Sequence, residues 1–323
     1  MKIQSLGKAL FVAFISSILV AAPGFAGSNP NGKTPNENAI GYWTQDRLDS
    51  ALTRDFEFEP GAKSGKLVAL GKPSRGGGGS TTTVSGSSWT KGGMPLLATG
   101  KVFFTMGTTN YVCSGALANE NLSDRAIVLT AGHCVWDNQS SSWATNFIFI
   151  PAYDSNPSTN CASTPGRCLV ASSLVASSGF TSQTSFTTQA TLNDWGFAAV
   201  TETSQTGFNL AVNSLTANDS VYAFGYPAQF PYNGSKLIYC SGPITADSKN
   251  GGLTWGLGCN MTGGASGGPW LGLFNSSTYV GNLSSVNSYK YTNDSTRMYG
   301  PKFNANTQAA FEAAKTASAN TSI

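Results

Sequence analysis

Between Ser88 and Gly300 the apolar residues come in short runs, and no run has helical periodicity. Lys101-Val102-Phe103-Phe104-Thr105, Ala126-Ile127-Val128-Leu129-Thr130, Asn146-Phe147-Ile148-Phe149-Ile150, Val221-Tyr222-Ala223-Phe224 and Pro269-Trp270-Leu271-Gly272-Leu273 are rich in Val, Ile, Phe and Tyr and are bounded by Gly, Pro, Asn and Ser. Segments of this kind read as strands between turns. A chain made of them is expected to be an all-β sandwich or barrel. About 235 residues follow Ser87, enough for a well-buried core and for two packed β-barrels. One helix is expected at the end, over Thr307 to Ser318, where the chain is Ala-rich and carries Glu312 and Lys315.

The first 87 residues read differently. Lys2 and Lys8 precede or flank an apolar run from Ala9 to Ala22, and Gly24-Phe25-Ala26 presents small residues at the spacing of a cleavage site. Residues 1–26 are therefore expected to be a secretory signal peptide, cut after Ala26. The apolar run falls short of the ~20 residues that a spanning helix needs, so no membrane association is expected once it is removed. Residues 27–87 read as a propeptide and linker. Tyr42 to Leu52 predicts a short helix with Thr44 as N-cap and with Leu48, Ala51 and Leu52 on one face. Pro73-Ser74-Arg75 then leads into Gly76 to Gly79 and a Ser/Thr run, the composition of a flexible tether and a favoured site of proteolysis. A plain N-terminal arm is the alternative. The working domain is expected over residues 88–323.

Six cysteines in an exported chain are disulfide candidates. Spacing suggests neighbours (Cys113 with Cys134, Cys161 with Cys168, Cys240 with Cys259) and leaves the other connectivities open. From Ser88 onward ten basic and ten acidic residues balance, so the formal net charge of +3 belongs to the N-terminal region. Nucleic-acid binding, which needs a basic face, is not expected. The chain has one histidine and no Cys-x-x-Cys pair. Zinc sites usually draw on several such ligands, so neither a metal nor a cofactor is expected.

The single histidine, His133, must supply any imidazole chemistry. Far downstream stands Gly264-Ala265-Ser266-Gly267-Gly268-Pro269. A serine hydroxyl is a poor nucleophile until a base takes its proton, and histidine is the best-matched base near neutral pH. A buried carboxylate must then orient the ring. Five aspartates lie between the two residues: Asp137, Asp154, Asp194, Asp219 and Asp247. Asp194 opens the apolar run Trp195-Gly196-Phe197-Ala198-Ala199-Val200, so the chain carries its carboxylate toward the core; the other four read as solvated turn residues. The N–H groups of Gly264 and Ser266 are candidates for an oxyanion hole, with Gly267 and Gly268 leaving room for substrate. Gly264-x-Ser266-x-Gly268 also fits the nucleophile elbow of α/β-hydrolases. In those the histidine follows the serine, and here no histidine follows Ser266. The order His133, Asp194, Ser266 is that of the chymotrypsin class.

Thr130-Ala131-Gly132-His133-Cys134, Asp194-Trp195-Gly196-Phe197 and Gly264-Ala265-Ser266-Gly267-Gly268-Pro269, with Cys113-Ser114-Gly115, resemble the catalytic blocks of chymotrypsin- and trypsin-like serine peptidases over roughly Lys101 to Phe303. Met261-Thr262-Gly263-Gly264 and Tyr42-Trp43-Thr44 are similar to elements of secreted microbial glutamyl-endopeptidase-like members. The resemblance implies two packed six-stranded antiparallel β-barrels with the site in the cleft between them, a Cys113–Cys134 bridge, and a triad of His133, Asp194 and Ser266. It further implies a primary pocket walled by Asn260, Met261 and Thr262, with Leu283 to Ser288 opposite. Two departures stand out. Trypsins of animals have an aspartate where this chain has Ala265, so their N-terminal activation switch cannot operate and a prosegment would have to act otherwise, by covering the cleft. Glutamyl endopeptidases use a further histidine in the pocket, and none exists here. The expected protein is a monomeric, extracellular serine endopeptidase acting on protein or peptide substrates through an acyl-enzyme. The alternatives are a catalytically silent binding protein and an esterase on the same barrels.

Overall fold

The structure, a computed structural model, describes residues 35–69, 83–122, 124–153, 161, 165–201 and 206–323. The expected signal peptide, the glycine run Gly76 to Gly79 and Asp154 lie outside the described residues.

Thr99–Met106, Thr109–Ala118, Ala126–Thr130, Thr145–Pro151, Leu169–Ala176 and Gly196–Val200 pair antiparallel in a closed ring. Thr99–Met106, Ala126–Thr130, Thr145–Pro151 and Gly196–Val200 contain apolar runs singled out in the sequence, whereas Thr109–Ala118 and Leu169–Ala176 do not; Ala126–Thr130 and Gly196–Val200 are buried along their whole length. This is the first barrel. Ser220–Gly225, Ile238–Ala246, Trp255–Gly258, Pro269–Asn275, Val280–Val286 and Asp294–Gly300 form the antiparallel frame of the second. The all-β double-barrel expectation holds. Cys113–Cys134, Cys161–Cys168 and Cys240–Cys259 are the three disulfides.

The C-terminal helix runs over Ala305–Ala314, two residues earlier than expected. Asn304 and Thr307 form a capping box that fixes its start. Phe311 packs on Phe197 of the first barrel, and the Ala317 carbonyl accepts from Arg125 and Ser173 instead of continuing the helical ladder. Short helices also occur at Gly93–Ala98, Ser178–Thr181 and Thr188–Thr191. At six residues or fewer they leave no periodic trace in the sequence.

The N-terminal region is built into both barrels. Thr44 caps the helix Gln45–Ser50, accepting from the Arg47 amide at 3.4 Å. Trp43 and Leu48 are fully buried, and Trp43 Nε1 donates to the Asn146 carbonyl. The predicted helix is cut short at Ser50, because Ala51 turns extended and Leu52 enters a strand. Leu52–Thr53 pairs parallel with Tyr111 and Val112 of the first barrel. Asp55–Phe58 then pairs parallel with Tyr289–Tyr291 of the second, and Lys66–Val68 returns beside it. Val84–Ser88, which crosses from the stretch read as linker into the expected working domain, is a strand paired with Ile238–Ala246. Burying Leu48 and Phe58 contributes roughly 1.5–3 kcal/mol each to holding this region in place.

Candidate active site

Strand pairing brings His133 and Asp194 together. Thr130, at the end of Ala126–Thr130, lies opposite Gly196, at the start of Gly196–Val200. The residues just beyond these two ends therefore meet. His133 sits in the turn Gly132–Cys134, tied down by the Cys113–Cys134 bond. Its Nδ1 lies 2.8 Å from Asp194 Oδ2, and its backbone N–H donates to Asp194 Oδ1 at 2.8 Å. Ser288 Oγ donates to Asp194 Oδ2 as well. Both partners are fully buried. Cys113 and Cys134 flank His133 closely, but their sulfurs are joined to each other and offer no thiolate for a metal.

Ser266 arrives from the second barrel, in the loop before Pro269–Asn275. The loop is stitched to the first barrel through Ser114: its amide donates to the Ser266 carbonyl at 2.7 Å and its hydroxyl to the Gly264 carbonyl at 2.8 Å. Asn287 completes the clamp, exchanging backbone hydrogen bonds with Gly267 and Gly268. Gly264 has φ of +91° and Gly267 φ of +80°, a region that favours glycine. The expectation that Gly267 and Gly268 make room for substrate is corrected. A Cβ on Gly267 would strike Thr130 Oγ1 and the Ser114 carbonyl, and one on Gly268 the Phe224 carbonyl. Both glycines serve the close packing of the serine loop against its supports. Ala265 is buried under Gly225, so the position holds packing and no charge.

Ser266 does not bond to His133 here. Its hydroxyl donates to Asp55 Oδ1 at 2.9 Å, and the Gly264 amide donates to the same carboxyl group at 3.2 and 3.3 Å. His133 Nε2 is buried and has no hydrogen-bond partner among the described residues. The Phe56 ring stands edge-on to His133 at 5.3 Å and stacks on Phe186. Next to them Arg54 donates from Nε to the His133 carbonyl and pairs with Asp137 at 3.0 Å. Burial raises the pKa of Asp55 above the ordinary carboxylate value, although a cavity alongside keeps the group partly wet. Hydrogen bonds from Thr53, Ser266 and Gly264 and the charge of His133 pull the other way without overcoming burial.

That cavity, about 340 Å³, lies beside Ser266. Asn260 and Thr262 line it; Met261 does not. Met261 is wholly buried in the second core. The facing wall is Ser288 to Thr292, not Leu283 to Ser288; Leu283 lies in the core. Asp219 is a turn residue as expected, accepting from Thr216. Asp247 is not. It is 2% exposed and accepts from Tyr289 and Tyr291 hydroxyls, beneath the pocket wall.

No family model matches the chain, and no curated protein matches it. Solved structures do. Protease Anisep from Arthrobacter nicotinovorans is 34% identical, with a TM-score of 0.61 over 72% of this chain and 100% of its own. The thermostable serine protease AL20 from an extremophilic microorganism is 33% identical, with a TM-score of 0.57 over 68% of this chain and 98% of its own. A Glu endopeptidase shares the fold at 18% identity, with a TM-score of 0.53 over 72% of this chain and 98% of its own.

Proposed function

The chain belongs to the chymotrypsin-like serine proteases, and from that premise we propose that it is a secreted serine endopeptidase made as a latent precursor. The observation that carries the reading is the buried His133–Asp194 pair facing the same carboxyl group that Ser266 bonds to. In the working enzyme Ser266 Oγ attacks a peptide carbonyl and passes its proton to His133 Nε2. The C–N bond breaks, His133 protonates the leaving amine, and water then hydrolyses the acyl-enzyme. Asp194 holds the ring and stabilises the imidazolium. The Gly264 and Ser266 amides hold the oxyanion. Three disulfides fit an oxidising compartment. No helix among the described residues is long and apolar enough to cross a membrane.

Latency follows from Asp55. The group set against Ser266 is a side-chain carboxyl, which offers no peptide bond to attack, and it holds the Gly264 amide that the oxyanion needs. The strand carrying it is added to the sheet edge at Tyr289–Tyr291, where an extended peptide would otherwise dock. Replacing Asp55 by Ala removes these hydrogen bonds. The uncleaved Asp55→Ala precursor is expected to react with a fluorophosphonate on the order of 10- to 100-fold faster than the wild-type precursor, the scale of a lost hydrogen bond to a charged group. Equal rates would sink the latency argument. Because burial raises the pKa of docked Asp55, the docked state holds the proton more tightly than the released segment does. Docking is therefore strongest at low pH and weakens as pH rises through the raised value. Precursor labelling should accelerate with pH more steeply than that of the processed enzyme, and Asp55→Asn should remove the excess.

A further inference from the structure

The protease reading leaves open what the cavity beside Ser266 accepts, and the following inference rests on that reading. Three charged residues line the cavity: Asp55, Glu57 and Lys290. Two of them, Asp55 and Glu57, lie on the N-terminal strand that blocks the site. Lys290 alone is part of the second barrel, on Tyr289–Tyr291. With the blocking strand gone, the cavity keeps a single charge, and that charge is positive.

Lys290 is placed as a fixed donor. Its Nζ donates to the Cys259 carbonyl at 3.0 Å and to the Ser295 carbonyl at 2.7 Å. An ammonium has three N–H groups, so one remains for a ligand. No carboxylate lies within ion-pair distance of it among the described residues. Asp294, the strongest negative influence on it, spends its Oδ1 on the Thr296 amide and hydroxyl and does not line the cavity. Partial burial lowers the Lys290 pKa to about 8, and the group is still a cation at neutral pH. A half-buried ammonium with no bonded counter-charge has an N–H group free for a charge-assisted hydrogen bond, and an incoming carboxylate supplies the acceptor. The blocking strand fits the same logic, since Glu57 stands opposite Lys290 in register. The neighbouring lining groups Asn260, Thr262 and Ser295 are neutral and polar, and Met298 is apolar.

We propose that Lys290 determines specificity, and that the pocket takes an acidic side chain, Glu or Asp, on the acyl side of the scissile bond, with its carboxylate accepting from Lys290 Nζ.

The test uses the full chain, expressed and recovered after its own processing, against fluorogenic peptides that differ only at the residue before the cleaved bond. An uncharged fluorophosphonate titrates competent enzyme in every sample, so rates are compared per active site. Wild type is expected to cleave after Glu or Asp on the order of 10- to 100-fold faster in kcat/KM than after Gln or Asn. Lys290→Gln should bring that ratio close to one, and Lys290→Arg should keep it above one. A wild-type preference for neutral or basic residues overturns the proposal even if Lys290→Gln cannot be recovered. So does an acidic preference that survives Lys290→Gln. Failure of both labelling and hydrolysis in wild type would instead overturn the protease reading, and this proposal with it.

Discussion

Ser266→Ala is expected to lower peptide hydrolysis by the processed protein by on the order of 10⁶-fold in kcat, the size seen when a serine nucleophile of this kind is removed. The substitution deletes one oxygen. In the precursor that oxygen makes one side-chain bond, to Asp55, while the loop is held by Ser114, Asn287 and the packed glycines, none of which uses the hydroxyl. Thermal unfolding of the variant should therefore stay within about 1 kcal/mol of wild type. Loss of activity with an intact fold separates chemistry from structure. A variant that keeps hydrolysing peptides would remove Ser266 from the mechanism.

Asp194→Asn should lower kcat by on the order of 10⁴-fold, by a different route. Asp194 accepts from the His133 amide, the His133 ring and Ser288 Oγ in a site closed to water. An amide in its place keeps one acceptor oxygen and introduces an N–H₂ group. If that group faces Nδ1, the ring must carry its proton on Nε2, where it can no longer take one from Ser266. If the oxygen faces Nδ1, the N–H₂ group confronts donors instead. The nucleophile is untouched, so slow labelling by a fluorophosphonate should persist where Ser266→Ala shows none. Wild-type rates in Asp194→Asn would mean that another group orients the ring.

Much of this arrangement could be read from the chain, and the reasons are local. His133 is the only imidazole, so its place in the order of residues decided between two serine-enzyme architectures. Asp194 was separable from its four rivals because Gly196–Val200 is an apolar strand, and its pairing with Ala126–Thr130 puts the two residues in contact. Neighbouring cysteines join across adjacent strands or within one loop, so spacing was a fair guide to all three bonds. What the sequence hid depends on distant segments. Asp55 looks like an ordinary acidic residue in a propeptide; its meaning lies in a parallel pairing with Tyr289–Tyr291, more than two hundred residues away. Lys290, between two tyrosines, reads as the solvated face of a strand, until Cys259 and Ser295 close around its ammonium. Asp247 reads as a turn residue because the tyrosines that cover it come from another strand. Met261, between two lining residues, turns into the second core, a direction its neighbours in sequence do not reveal.

The central claim is that Ser266 is a nucleophile activated by His133 once the N-terminal strand leaves the cleft. The most direct measurement is fluorophosphonate labelling of precursor and processed protein, followed by mass spectrometry of the labelled peptide. The account predicts one adduct, on Ser266, forming rapidly in the processed protein, far more slowly in the precursor, and not at all in Ser266→Ala. An adduct on a different serine, or none in processed protein that remains folded, would contradict it.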